Sequence, residues 1–166
     1  MTDLTIVVPT IGRPTLQRAL DSVLAQTVPV EFIVASDVAR EGCGPTMNRA
    51  VAAVKTEYVG FVADDDRLSV HYHEWFLEEN PGADLFIFTM RYEDGHELPR
   101  ITNPDGLIHG EVGASFLMRT EVCREFPYVK EVVEQGYNED WEMISAVRTA
   151  GYRIHISQRV AYFIRY

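Results

Sequence analysis

Tyr58-Val59-Gly60-Phe61-Val62-Ala63-Asp64-Asp65-Asp66 is a short apolar run that ends in three consecutive carboxylates. Three adjacent anions repel one another unless a positive charge sits among them. Hard oxygen ligands of this kind suit Mg²⁺ or Mn²⁺, with substrate phosphates completing the shell. The competing reading is a solvated acidic turn before the next helix, where Asp is common for capping reasons. Farther along, Glu139-Asp140 opens an apolar-periodic stretch. A carboxylate beside an electrophile can take a hydroxyl proton, so Asp140 is a candidate general base. Two acids in the first turn of a helix are also expected from the macrodipole alone. Asp37, at the end of another apolar run, could accept hydrogen bonds from a base or a sugar.

The elements that must position these groups follow from periodicity. Leu4 to Val8 is a β-branched run stopped by Pro9, read as a first strand buried on both faces. Leu16, Ala19, Leu20, Val23 and Leu24 form one helical stripe, with Pro14 suited to its first turn. Glu31 to Ala35 is a second strand, and Met47, Ala50, Val51 and Val54 form a second stripe on a helix begun by Pro45. Tyr58 to Val62 is the third strand, which places the Asp triplet at its carboxyl end. Strand, helix and strand in this order imply right-handed crossovers and a parallel sheet, with ligands at the carboxyl edge. A helix over Val70 to Asn80 follows, then a strand over Asp84 to Met90, then a polar stretch over Arg91 to Gly110 read as loop and hairpin. Ala114 to Arg119 reads as a strand, with Thr120 as N-cap of a short helix. A helix from Glu139 ends at Gly151, and two β-like runs, Tyr152 to Ile156 and Val160 to Tyr166, close the chain.

Composition bounds the function. The 166 residues are expected to form one domain, and 46% hydrophobic residues can supply a full core. A net charge of −10 opposes nucleic-acid binding and requires a local cation for any phosphate ligand. No apolar run is long enough for a membrane span, and Met1-Thr2-Asp3-Leu4 has no signal-peptide pattern, so a cytoplasmic protein is expected. Cys43 and Cys123 lack metal-ligand spacing and read as packed thiols in a reducing compartment. His71 and His73 read as surface polar residues. There is no G-x-G-x-x-G, no P-loop, no G-x-S-x-G and no H-E-x-x-H.

Ile6-Val7-Val8-Pro9-Thr10-Ile11-Gly12-Arg13, Ile33 to Asp37, Met47-Asn48-Arg49-Ala50, Phe61 to Asp66, Met118-Arg119-Thr120-Glu121 and Asn138-Glu139-Asp140-Trp141-Glu142 stand in the order seen in GT-A glycosyltransferases. Over nearly its whole length the chain resembles that group, most closely its inverting family 2. The first segment resembles V-P-T-x-x-R, the third A-R-N-x-G with Asn and Arg exchanged, the fourth F-L-D-x-D-D, and the last the E-D motif that carries the base. The resemblance implies a single α/β GT-A domain with a mostly parallel central sheet flanked by helices. Residues 1–66 would form the nucleotide-binding half and 67–166 the acceptor-side half. It implies a nucleotide-sugar donor of UDP or GDP type held by Pro9, Thr10, Arg13, Asp37, Asn48, Arg49 and Asp64. Asp65 and Asp66 would hold Mn²⁺ or Mg²⁺, and Asp140 would be the catalytic base. Ungapped alignment puts Ala63 at the first Asp of D-x-D, and the alternative register uses Asp64 and Asp66. The acceptor would be a glycan, a lipid-linked or a small-molecule hydroxyl, flanked by His109, Glu111, Tyr137 and Glu139. The chain is short for the family, and a homo-oligomer could complete its cleft. Two other readings are a nucleotidyltransferase of similar sheet architecture and a non-catalytic nucleotide- or sugar-binding module.

Overall fold

The computed structural model describes residues 3–129 and 139–165. Its strands are β1 (Leu4–Thr10), β2 (Glu31–Ser36), β3 (Tyr58–Phe61), β4 (Arg67–Leu68), β5 (Leu85–Tyr92), β6 (Glu97–Leu98), β7 (Phe116–Arg119) and β8 (Ile154–Ile164). The helices are α1 (Leu16–Leu24), α2 (Cys43–Ala53), α3 (Tyr72–Glu79), α4 (Thr120–Glu125) and α5 (Glu139–Thr149). All eight strands join one sheet in the order β2-β1-β3-β7-β5-β8-β4, with β6 paired to β5. β1, β2, β3, β5 and β8 run in one direction, and β4, β6 and β7 oppose them. The mostly parallel sheet read from the sequence is therefore present, with a short antiparallel strand wedged into its centre. Because β7 pairs with β3, the two expected halves share one sheet.

Alternate residues of each strand face opposite sides of the sheet, and each side carries helices. Val7, Val59, Phe61, Leu85, Ile87 and Met118 pack with α2, α4 and α5. Ile6, Val8, Phe86, Phe88 and Leu117 pack with α1 and α3. Both faces are thus covered, which is why β1 and β3 read as continuous apolar runs. Gly60 leaves little room for a side chain: a Cβ there would lie 3.1 Å from Ile6 Cδ1 and 3.3 Å from the Tyr72 hydroxyl, so both would have to give by a few tenths of an ångström.

The sheet is strongly curled, for a reason of length. β4 follows β3 in sequence but lies four strands away in the sheet, about 19 Å if the sheet were flat. The link between Phe61 and Arg67 could span about 20 Å fully extended, but it turns on itself, with the Asp66 amide donating to the Ala63 carbonyl at 3.1 Å. Curling brings the far edge back over the Asp triplet. Tyr162, on β8, reaches the Ala63 amide at 3.1 Å and the Asp66 carboxylate at 2.9 Å.

Several local expectations are corrected. Thr120 lies inside α4, and its hydroxyl donates to the Thr56 carbonyl at 2.9 Å instead of capping the helix. His73 is buried, not a surface residue: Nε2 lies 2.8 Å from Asp3 Oδ1, and Nδ1 lies 3.0 Å from the Pro29 carbonyl. Cys43 is exposed, and only Cys123 is packed. The two closing runs are one strand, with a register irregularity against β5 near Thr89. α1 begins at Leu16, so Pro14 precedes its N-cap, Thr15. Tyr137 and Asn138 lie outside the described residues. Among the described residues no helix is long and apolar enough to cross a membrane.

Candidate functional site

β1, β2 and β3 end on one edge of the sheet, and their last residues and following loops form the site. Asp64 is buried there and doubly engaged. The Thr10 hydroxyl donates to its Oδ2 at 2.6 Å, and Arg13 NH1 lies 3.0 Å from its Oδ1. The same guanidinium nitrogen lies 2.9 Å from Asp65 Oδ2. Thr10 also accepts the Gly12 amide at 2.9 Å, which folds the loop after β1 back over the triplet. Gly12 has φ +85, a left-handed conformation suited to glycine. Arg18, on α1, donates to the Asp65 carbonyl at 2.9 Å. Two cationic side chains from the β1–α1 segment therefore hold the acidic turn.

Asp37 accepts the amides of Glu41 at 2.8 Å and Gly42 at 2.9 Å. Burial opposes its ionisation, yet these two amides prevail and hold its carboxyl below the ordinary value. Pro9, Thr10, Arg13, Asp37 and Asp64, all singled out from the sequence, line a single recess of about 130 Å³ together with Ile11, Cys43, Thr46 and Ala63. That volume is below the range for whole drug-sized ligands and matches a single ring, with any remainder lying in the open cleft.

Asp140 stands in the first turn of α5, whose first residue, Glu139, packs against Gly44 of α2 beside the recess residue Cys43. Asp140 Oδ1 accepts the Tyr128 hydroxyl at 3.0 Å. Burial lifts Asp140 to about 6, against the Tyr128 bond, which favours the charged form. Glu139 is lifted to about 7 by burial and by the neighbouring Asp140. Its Oε2 is buried, has no hydrogen-bond partner among the described residues, and packs against Gly44, where a Cβ would approach it to 2.9 Å.

Other expected site residues stand elsewhere. Asn48 does not line the recess. Its side chain grips the backbone of Tyr128, donating to the carbonyl at 2.9 Å and accepting the amide at 2.9 Å. Arg49 is half exposed and paired with Glu41 at 2.6 Å, on the rim near Asp37. Asp66 turns from the recess toward the chain's end, accepting the Tyr162 hydroxyl at 2.9 Å and the Arg165 amide at 2.8 Å. His109 is exposed, with its ring 6.4 Å from that of Trp141, and Glu111 is half-buried on the same loop. Tyr128, Tyr162 and Arg18 are the residues that sequence reasoning missed. Nothing in their local pattern distinguishes them from core or helix-surface positions.

The carboxylates offer only hard oxygen donors, appropriate to Mg²⁺ or Mn²⁺. Among the described residues no three His, Cys, Asp or Glu side chains are grouped to hold a metal by themselves. Asp65, partly exposed, fits as a single protein anchor whose shell phosphate oxygens and water would complete. Asp66 fits less well, because both its oxygens already accept hydrogen bonds.

Compared by sequence, the chain matches no family model and no curated protein. Compared by structure, it matches S. aureus TarS at 18% identity and a TM-score of 0.78, covering 100% of this chain and 37% of that one. It matches the TarS fragment 1–349 in complex with UDP-GlcNAc at 18% identity and a TM-score of 0.78, covering 98% and 58%. It also matches the mannosyltransferase PcManGT from Pyrobaculum calidifontis, in complex with GDP-Man and Mn²⁺, at 14% identity and a TM-score of 0.66, covering 97% and 56%. The chain thus spans between roughly a third and three fifths of these proteins. The chain therefore shares the fold of these solved structures over nearly its whole length.

Proposed function

We propose that the chain is the catalytic domain of a glycosyltransferase that moves a sugar from a nucleoside-diphosphate sugar to an acceptor hydroxyl, with inversion. The observation that carries this reading is the joining of Thr10, Arg13, Asp64 and Asp65 at one sheet edge, with the start of α5 packed against Gly44 beside the same recess and carrying Asp140, a carboxyl that burial lifts to about 6. The structural neighbours in complex with UDP-GlcNAc and with GDP-Man and Mn²⁺ support it.

Each group has work suited to its place. Asp37 and Asp64 accept hydrogen bonds from the base and the ribose in the recess. Arg13 offers its guanidinium to the diphosphate, leaving Asp64 and Asp65 as the phosphate oxygens arrive. Asp65, supported by Asp66, would hold Mn²⁺ or Mg²⁺, which when bound neutralises the departing diphosphate. Asp140 takes the proton of the acceptor hydroxyl. The acceptor oxygen then bonds to the anomeric carbon as the bond to the diphosphate breaks, and the nucleoside diphosphate leaves with the electron pair. Because Asp140 titrates near 6, its carboxylate is both ionised at neutral pH and more basic than an ordinary one. Arg49 and Asn48 act indirectly: Arg49 steadies the Asp37 loop through Glu41, and Asn48 holds Tyr128.

Calorimetric titration of UDP and GDP, with and without Mn²⁺, tests the donor site. One nucleotide is expected to bind with metal dependence, and binding is expected to weaken in Arg13→Ala and Asp65→Ala. Binding that is indifferent to metal and to both substitutions would return the triplet to a structural turn.

A further inference from the structure

The acidic turn is held from a second side, by β8. Ala63 to Asp66 form a four-residue turn, closed by the Asp66 amide on the Ala63 carbonyl at 3.1 Å. Arg13 grips its two central residues, with NH1 3.0 Å from Asp64 Oδ1 and 2.9 Å from Asp65 Oδ2. Tyr162 grips its two ends: the hydroxyl accepts the Ala63 amide at 3.1 Å and donates to Asp66 Oδ2 at 2.9 Å. The other Asp66 oxygen accepts the Arg165 amide at 2.8 Å. Arg165 holds φ 55, uncommon for a side-chain-bearing residue, and this bend accompanies its bond to Asp66. A buried tyrosine hydroxyl needs a partner somewhere, so bonding alone assigns it no role. What distinguishes Tyr162 is where its partners stand. A hydroxyl that serves both ends of one turn fixes the orientation of the two residues between them. It also sorts three adjacent carboxylates: Asp64 and Asp65 meet Arg13, and Asp66 is drawn to the opposite side and buried there.

We propose that Tyr162 is a positioning residue for the donor site, acting through Asp66 and the Ala63 amide to hold Asp64 and Asp65 in the orientation that receives a nucleoside diphosphate; the proposal rests on the transferase reading above. Tyr162 is not among the residues that line the recess, so its effect passes through the turn. Without the hydroxyl, the Ala63 amide loses its partner and Asp66 keeps one tether. Its charge then turns back toward Asp65, and three anions compete for one guanidinium nitrogen.

Calorimetry with UDP and GDP, each with Mn²⁺, tests this below the melting transition of every variant. Tyr162→Phe keeps the ring in the core and removes only the hydroxyl. It is expected to weaken nucleotide binding about tenfold, the scale of a lost hydrogen bond to a charged group. Donor KM should rise to match, while the acid limb of kcat, set at Asp140, stays in place. Asp66→Ala is expected to weaken binding about as much, and the double variant no further, because the two residues act as one unit. Asp66→Asn keeps a side chain that bonds both partners and should retain most of the affinity. Ile156→Val trims a core residue of the same strand on the other face of the sheet, and should lower melting with nucleotide binding unchanged. Wild-type affinity in Tyr162→Phe, an equal loss in Ile156→Val, additive losses in the double variant or a full loss in Asp66→Asn would overturn the proposal alone. Absence of nucleotide binding in wild type would overturn it together with the transferase reading.

Discussion

Asp140→Asn is expected to abolish transfer and yet stabilise the protein. Burial raises the Asp140 carboxyl from 3.8 to about 6 in the folded chain. Above that value the folded state holds an ionised carboxylate that it disfavours relative to the unfolded state. A shift of about two units at ~1.4 kcal/mol each amounts to roughly 3 kcal/mol. The sign follows from proton counting. Between the unfolded and folded values the folded state binds more protons, so this group's stability contribution is fully present below about 4 and is lost as pH rises through 6. Asn removes the charge and keeps an oxygen to accept the Tyr128 hydroxyl. Urea unfolding at pH 8 should therefore show a gain of about 1–3 kcal/mol, the lower figure allowing for the new amide N–H groups. The melting temperature should rise by a few degrees, at about 2–4 °C per kcal/mol for a chain of this size. At pH 3 the gain should nearly vanish, since Asp140 is then largely protonated in both the folded and the unfolded state. Turnover should fall by about 10²–10⁴. A variant equally or less stable than wild type at pH 8, or a gain independent of pH, would refute the claim that Asp140 is held at the expense of folding.

Three further outcomes follow from the same geometry. Tyr128→Phe removes a donor that favours the ionised Asp140, so the acid limb of kcat should move up by about one unit, with the donor KM unchanged; kcat measured between pH 5 and 9 reads this. Gly44→Ala puts a Cβ at 2.9 Å from Glu139 Oε2 and 3.1 Å from Tyr128 Cβ; it should cost about 1–3 kcal/mol in urea unfolding and lower kcat more than it weakens nucleotide binding. Gly60→Ala should cost about the same, because Ile6 and Tyr72 are both in the core, while the acid limb of any remaining activity stays in place.

Much of this was legible because its signals are local. Leu4 to Val8 and Tyr58 to Val62 are β-branched or aromatic runs bounded by turn residues, and they form β1 and β3. Once both strands are parallel neighbours, Thr10 and Asp64 must share an edge, so their meeting at 2.6 Å follows from topology. What sequence reasoning missed depends on distant partners. The two-residue β4 carries no periodicity, yet it forces the curl that brings Tyr162 onto Asp66. His73 reads as a polar helix residue until Asp3 and the Val28 and Pro29 carbonyls close around it. Asn48 resembles a ligand-binding position by sequence, but it serves Tyr128, whose approach depends on how α4 packs against α2.

Turnover of a panel of UDP- and GDP-sugars with Mn²⁺ tests the central claim most directly. Release of the nucleoside diphosphate is followed for wild type, Asp64→Ala and Asp140→Asn. The account predicts release from one donor class by wild type, raised by an acceptor saccharide, with Asp64→Ala failing to bind the donor and Asp140→Asn binding it without acceptor-stimulated release. Identical release by all three proteins, or none from any donor by a folded wild type, would contradict it.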